Sequence, residues 1–294
     1  MKKLLLIACA GFSVLVTRAQ NVNLDSLVDS KVKPATDTRV SHTFLSSRLV
    51  NGHSVESPHA GVLDFRISHR FGRVNEGLYN FFGLDEASMR IGLDYGLTDR
   101  FSIGIGRSTF QKQLDGFLKY RLLWQTTDQS VPVSLSLLSS AMVQTLKSND
   151  PSVKIAPADR WYFANQILLA RKFGNAFSLQ LMPTLIHYNR VPATMSTNNF
   201  FAIGGAGRIR LTQSLSLNAE YYYNASEKLP GTHNSFSVGF DIETAGHVFQ
   251  LHVTNSTGMT ERTFITETDG QWGKGDIRFG FNISRLFNLK KQRY

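Results

Sequence analysis

The chain has 294 residues, of which 42% are apolar, and a formal net charge of +10. This apolar content excludes a disordered chain. No apolar run beyond the first twenty residues approaches the ~18 that a membrane helix needs, which excludes a helical membrane bundle. The 21 phenylalanines against only 8 prolines favour strands. Because the basic residues are scattered along the chain and form no cluster, we expect no nucleic-acid partner.

Residues 1–19 are predicted to form a cleaved signal peptide. Lys2 and Lys3 precede an apolar core, and Thr17-Arg18-Ala19 provides a small-residue cleavage site. The alternative, a lipidation site at Cys9, has too short an apolar run before the cysteine. Cleavage after Ala19 removes three basic residues and the one cysteine, so the formal charge falls from +10 to +7. We therefore expect neither disulfides nor thiol chemistry in the exported chain.

Residues 20–60 lack a strong periodicity and are predicted to form a short periplasmic arm. Within it, residues 44–50 could pair as a short extended piece, and a polar stretch, residues 51–56, follows. The arm has two interpretations, a solvated segment with a polar turn or a small plug docked in a lumen. We favour the solvated segment, because chain ends are usually solvated.

The stretch from Ala87 to Ser108, ASMRIGLDYGLTDRFSIGIGRS, shows the strand pattern most clearly. Apolar residues alternate with polar or small ones on both sides of a Thr98-Asp99-Arg100 turn. Successive side chains of a strand point to opposite faces, so this stretch is a hairpin with one apolar and one polar face. The alternation recurs, less cleanly in the sixth and seventh segments, at residues 63–71, 87–97, 101–108, 114–124, 133–144, 160–174, 175–190, 201–211, 214–223, 235–243, 249–254 and 276–284.

About twelve strands of about ten residues fit a transmembrane antiparallel barrel. The connections support this all-β fold, because tight turns alternate with longer polar loops, as periplasmic turns alternate with outer loops in such barrels. Two intermediate connections, 109–113 and 125–132, blur the rule. Aromatic residues beside the tight turns are expected to form an interfacial girdle: Tyr95, Phe101, Trp124, Phe173, Phe177 and Phe249. We predict a barrel over residues 61–287 and a C-terminal tail at 288–294, with a secreted soluble β-sandwich as an alternative.

The inward face of the predicted barrel carries charges of both signs. The candidate lumen-lining residues are Asp64, Arg66, Arg70, Arg90, Asp94, Asp115, Lys119, Arg121, Arg208, Arg210, Glu220, Asp241, Glu243, Asp276 and Arg278. Closure is expected to bring Asp276 and Arg278 near Asp64, Arg66 and Arg70. The charges either form a conduction path or fill a closed lumen with salt bridges, and their near balance favours the closed lumen. An open lumen would have a weak preference for small anionic solutes.

A catalytic alternative rests on His233-Asn234-Ser235, which has the His-x-Ser spacing of outer-membrane phospholipases. Residues two apart in a strand share a face, and a nucleophile also needs a third group to hold its base. Asn255 is a candidate for that group by composition alone, so we favour a protein that is not an enzyme. Because the other histidines do not cluster at metal-ligand spacing, we expect no metal and no cofactor.

Three runs of the chain resemble an uncharacterised family of Gram-negative outer-membrane β-barrel proteins with a domain of unknown function. They are NGHSVES from Asn51, GVLDFRISHRFG from Gly61 and NFFGLDEASMRIGLDYGLTDRFSIGIGRS from Asn80. The resemblance is sharpest over residues 44–125 and extends more loosely to the end. It implies an outer-membrane β-barrel, which would be surrounded by outer-membrane lipid. We expect this barrel to act as a narrow passive channel or an envelope scaffold. The resemblance supplies no substrate, cofactor or catalytic residue.

Overall fold

Twelve antiparallel strands close into a barrel in the computed structural model, which describes residues 38–147 and 154–289. The predicted signal peptide, residues 20–37 of the predicted arm and residues 290–294 of the predicted tail lie outside the described residues. The strands are β1 (Val62–Arg73), β2 (Ala87–Gly96), β3 (Phe101–Ser108), β4 (Gln113–Leu123), β5 (Ser134–Gln144), β6 (Trp161–Phe173), β7 (Phe177–Tyr188), β8 (Asn199–Arg210), β9 (Leu215–Asn224), β10 (Ser235–Thr244), β11 (His247–Thr254) and β12 (Arg278–Asn288). No helix in the described ranges is long and apolar enough to cross a membrane.

Each strand pairs with its neighbours in sequence, and β1 pairs with β12 to close the ring. The closing seam aligns Leu63 with Phe287 and Ile67 with Ile283. A closed barrel leaves no sheet edge with unpaired backbone groups, and strands in a bilayer require this because no water is present to replace a missing hydrogen bond. The predicted antiparallel barrel of about twelve strands is confirmed.

The wall of the barrel has an apolar outer face and a polar inner face. In β2, Ile91 and Leu93 are 42% and 38% exposed, whereas Arg90 and Asp94, which alternate with them, are 2% exposed. The chain thus exposes its large apolar side chains and buries its charges, which is the reverse of a soluble sheet and suits lipid outside and a polar lumen inside. The alternative of a secreted soluble β-sandwich is therefore wrong.

The two ends of the barrel differ in their connections. The turn end carries residues 97–100, 124–133, 174–176, 211–214 and 245–246, and the loop end carries residues 74–86, 109–112, 145–147, 154–160, 189–198, 225–234 and 255–277. The two intermediate connections of the sequence follow the alternation in position, because 109–112 lies at the loop end and 124–133 at the turn end. The lengths of these two connections therefore did not indicate the end of the barrel at which each one lies.

Two segments outside the strands occupy the lumen. The N-terminal insert, residues 43–56, enters and returns at the turn end, where Arg39 bridges to Thr126 and Ala60 bridges to Gly96. The loop insert, residues 255–268, enters from the loop end and contains the helix α1 (Glu261–Thr266), all of which is buried. The interpretation of the arm as a solvated segment is wrong for residues 43–56. The alternative of a segment docked in the lumen is what the structure shows, because the inward side chains supply hydrogen-bond partners for its backbone.

Candidate functional site

The N-terminal insert is a tight hairpin at the centre of the barrel. The Leu49 N–H donates to the Gly52 carbonyl at 2.8 Å, and the Ser54 N–H donates to the Ser47 carbonyl at 3.0 Å. Gly52 fits at the tip of the hairpin because a Cβ at this position would overlap the Tyr222 hydroxyl of β9. The stretch NGHSVES therefore forms the tip and returning arm of the N-terminal insert.

A carboxylate of the wall holds the tip of this hairpin. Glu220 on β9 accepts the backbone N–H groups of Val50, Asn51 and Gly52 at 3.3, 2.8 and 3.1 Å. The carboxylate is 1% exposed. Buried backbone donors need acceptors, and an irregular segment cannot supply them itself, so Glu220 replaces the hydrogen bonds that a helix or sheet would provide.

Other wall side chains satisfy further backbone groups of the insert. Gln180 on β7 accepts the Val55 N–H at 2.6 Å and donates to the His53 carbonyl at 2.8 Å. Asn282 donates to the Val50 carbonyl at 2.9 Å, Arg121 donates to the Val55 carbonyl at 2.5 Å, Gln250 donates to the Leu49 carbonyl and Lys119 donates to the Glu56 carbonyl. These contacts come from strands on several sides of the barrel, so the wall holds the N-terminal insert from several directions.

The loop insert is stabilised differently. The N-terminus of α1 is capped within the insert, where the Thr260 N–H donates to the Thr263 hydroxyl at 3.1 Å. Phe264, which is fully buried, packs edge-on against Tyr222 with ring centroids 5.1 Å apart. The Arg262 guanidinium lies 3.8 Å from the Tyr162 ring centroid and pairs with Glu267 at 2.8 Å. The helix therefore supplies much of its own hydrogen bonding and contacts the wall mainly through side chains.

The two inserts meet at Glu261 of α1. Its Oε1 lies 3.5 Å from Arg48 Nη1 and 3.5 Å from His53 Nε2. The His53 ring packs edge-on against Phe117 of β4, with centroids 4.5 Å apart. Burial, reinforced by the nearby charges of Arg48 and Lys119, lowers the pKa of His53 well below its ordinary value. A neutral His53 therefore lies at the contact between the two segments that occupy the lumen.

The structure buries twelve of the predicted lumen residues: Asp64, Arg66, Arg70, Arg90, Asp94, Lys119, Arg121, Arg208, Glu220, Asp241, Asp276 and Arg278. The Asp115 side chain is 6% exposed and pairs with Arg90. Arg210 and Glu243 are half-buried near the turn end, and Arg210 donates to the carbonyls of the 211–214 turn. Arg66 pairs with Asp64 at 3.1 Å, and Arg121 pairs with Glu56 of the insert at 3.1 Å.

The expected cluster of Asp276 and Arg278 with Asp64 and Arg66 is wrong, whereas Arg70 pairs in register with Gly280, two residues from Arg278. Arg278 is paired in register with Arg73 at the loop end, whereas Asp64 lies opposite Leu286 near the turn end. Since β1 and β12 are antiparallel, the first residues of β12 lie beside the last residues of β1. Asp276 approaches Arg73 at 3.7 Å, and Arg278 approaches Asp269 at 3.6 Å.

Three kinds of lumen residue were missed from the sequence. The uncharged amides Gln180, Gln250 and Asn282 occupy inward positions, and this position in the alternating pattern was the available signal. The insert residues Arg48, His53 and Glu56 and the α1 residue Glu261 lie outside any strand pattern, so no periodicity pointed to them. A segment with no periodicity gives no indication of what it packs against.

The residues of the catalytic alternative lie at the loop end. Ser235 is fully buried at the start of β10, and its hydroxyl has no hydrogen-bond partner among the described residues. His233 lines a cavity of about 420 Å³ together with Tyr221, Asn255 and Trp272, and Ser235 is not among the lining residues. The Asn255 amide is used by the backbone: it accepts the Phe236 N–H at 2.9 Å and donates to the carbonyls of Asn234 and Gly270 at 2.9 and 2.8 Å. The lipid hydrolase stays an untested hypothesis.

Over residues 38–147 and 154–289, the structure contains no group of three or more histidine, aspartate or glutamate side chains placed to hold a metal ion. The lumen contains a network of ion pairs and hydrogen bonds between the wall and the two inserts. Such a network can hold segments in place, and it can exchange its hydrogen bonds for water if a segment moves.

Comparisons with known proteins give the family. A NanC porin is 8% identical, with 78% of this chain and 100% of that chain covered and a TM-score of 0.49. An outer membrane channel from Pseudomonas putida F1 is 15% identical, with 87% and 100% covered and a TM-score of 0.48. No curated protein matches the chain. The family model described as "Membrane bound beta barrel domain (DUF5777)" matches residues 44–287, which is most of the chain, and the chain therefore belongs to this family of membrane-bound β-barrels.

Proposed function

We propose that this protein is a channel of the outer membrane, exported through a cleaved signal peptide, whose lumen is closed by the N-terminal insert and conducts when that insert leaves. The observation that carries the proposal is the occupation of the lumen from both ends by segments that meet at Glu261. The proposal assigns no catalytic role to His233 or Ser235.

The chemistry of the N-terminal insert supports a removable plug. Seven of its buried side chains are polar, Thr43, Ser46, Ser47, Arg48, Asn51, His53 and Ser54, and four are apolar, Phe44, Leu49, Val50 and Val55. Hydrogen bonds exchanged for water cost little net free energy, about 1 kcal/mol each, whereas an apolar plug would expose its surface on leaving. The polar contacts therefore suit reversible opening, whereas the four buried apolar side chains favour the closed state.

The charges of the wall favour small anions once the insert is out. Arg121, which pairs with Glu56 of the insert, and Lys119, which binds the Glu56 carbonyl, would both lose this partner. Arg66, Arg70 and Arg208 also line the lumen. Fixed cations in a narrow pore raise the local concentration of anions, so we expect weak anion selectivity.

Planar-bilayer conductance tests the proposal with three proteins: the wild type, a variant lacking residues 43–56, and one that also has residues 256–268 replaced by a short Gly/Ser linker. We expect a silent wild type, a small current from the single deletion, and a larger, anion-preferring current from the double variant. Heat modifiability in detergent shows whether each variant folds. A folded double variant without current would overturn the channel and favour an envelope scaffold. A steadily conducting wild type would show that the insert is not a plug.

A further inference from the structure

The outer surface of the barrel carries a groove that crosses β6 to β10, from Arg171 near the turn end to Tyr221 and Phe236 near the loop end. Its volume is about 560 Å³. Two rows of paired residues define it. One row runs through Arg171, Leu179, Gly207 and Ala219, and the next runs through Leu169, Leu181, Gly205 and Tyr221. These positions share the outward face of the wall, so the groove faces the membrane.

Small residues form the floor of the groove and large apolar residues form its sides. A Cβ at Gly205 would meet no atom within 4 Å, so the space above this glycine is open. Leu181 beside it is 54% exposed. A membrane-facing groove of this shape matches a flexible hydrocarbon chain, because an apolar space in a bilayer is filled by whatever apolar molecule is dissolved there.

Arg171 is the charged side chain that faces outward in this groove. Its guanidinium lies over the Phe173 ring at 5.2 Å, and its Nε is buried without a hydrogen-bond partner among the described residues. A cation facing lipid is expensive at mid-membrane and tolerated near the interface. Arg171 lies two residues from the end of β6, which places it at the interface of the turn end.

We infer that this groove binds one glycerophospholipid, with the phosphodiester on Arg171 and an acyl chain over Gly205 and Gly207. The membrane-facing position selects a molecule dissolved in the bilayer, and charge complementarity selects a phosphate among the groups that such molecules carry. The planar guanidinium presents paired donors that match phosphate oxygens.

The chain contains a matched control for the charge. Arg285 on β12 also stacks on an aromatic ring near the turn end, with its guanidinium 5.0 Å from the Phe287 ring centroid. Its partners in the neighbouring strands are Phe65 and His247. Arg285 therefore shares the outward position and the aromatic stacking of Arg171, although it is more exposed, and it is not among the residues that line the groove.

Native mass spectrometry of the full chain in mild detergent, titrated with phosphatidylglycerol, tests the site. We expect one phospholipid bound to the wild type, with Arg171→Met raising the dissociation constant about tenfold through loss of the charged hydrogen bonds. Arg285→Met should match the wild type. Gly205→Leu should fill the groove and weaken binding similarly, and heat modifiability confirms that each variant folds.

Three outcomes overturn the inference. Equal lipid retention by Arg171→Met and the wild type would show that the phosphate does not bind Arg171. Equal loss in Arg171→Met and Arg285→Met would show general attraction of lipid to interfacial arginines. Full lipid retention by Gly205→Leu, together with dissociation of a dimer in light scattering, would show that the groove is a contact between two copies of the barrel.

Discussion

The N-terminal insert and the loop insert fill the same lumen from opposite ends but satisfy their backbones in different ways. The first is an irregular hairpin whose N–H and C=O groups bond to side chains of the wall, with Glu220 accepting three of them. The second contains a helix that bonds within itself and buries Phe264 against Tyr222. Wall substitutions should therefore release the first insert, and loss of apolar packing should loosen the second.

Glu220→Ala is expected to cause the largest loss of stability of the docked N-terminal insert. This change leaves three buried N–H groups without an acceptor. At roughly 1–3 kcal/mol per unpaired group, the free energy that holds the insert in the lumen falls by on the order of 5 kcal/mol. Hydrogen–deuterium exchange with mass spectrometry should show residues 49–53 losing protection while α1 keeps its own.

Glu220→Gln is the graded control for this change, because the amide keeps one acceptor oxygen in place. It should destabilise the docked insert less than the alanine variant does, and it should increase hydrogen exchange at the same residues. Equal loss of protection in both inserts would contradict the separation between them and indicate that they leave the lumen as one unit.

The second effect comes from Phe264→Ala in the loop insert. Truncating a fully buried phenylalanine removes its contact with Tyr222 and leaves a cavity, at a cost of about 3 kcal/mol. Exchange should increase over residues 260–267, with residues 49–53 unchanged. The denaturant midpoint in detergent gives the cost, and a variant with wild-type stability would show that the apolar contact does not hold the helix.

The smallest effect is a pH dependence at the contact between the inserts. Burial, with the charges of Arg48 and Lys119, lowers the pKa of His53 in the closed state. The stability that neutral His53 contributes to the closed state is present above the unfolded pKa of about 6.5. It is lost as pH falls below that value, by up to about 1.4 kcal/mol per pH unit, because only the released insert takes up the proton.

Exchange of residues 43–56 at pH 6.5 and pH 5.0, corrected for intrinsic rates, measures this dependence. The non-titrating variant His53→Asn should flatten it. Glu56 does not interfere in this window. Burial opposes its ionisation, but the charge of Arg121 and the Thr43 N–H outweigh that effect and hold the pKa of Glu56 below its usual range. A steep dependence that persists in His53→Asn would assign the titration to another group.

The wall shows what a local pattern can predict. In β2 and β3 the outward leucines and isoleucines and the inward Arg90 and Asp94 follow directly from two-residue alternation, which each strand carries in its own sequence. The pairing of charges did not follow, because it depends on which ends of two strands meet. Arg278 lies beside Arg73 and not Asp64 for this reason alone.

The sequence by itself determined the strands, their faces and the closed barrel, because alternation is local and a membrane strand must pair on both sides. Only the tertiary structure decided what fills the lumen. Residues 43–56 have no period of their own, and their conformation is imposed by Glu220, Gln180 and Asn282 on three separate strands. An irregular segment takes its shape from its partners, and those partners come together only when the barrel closes.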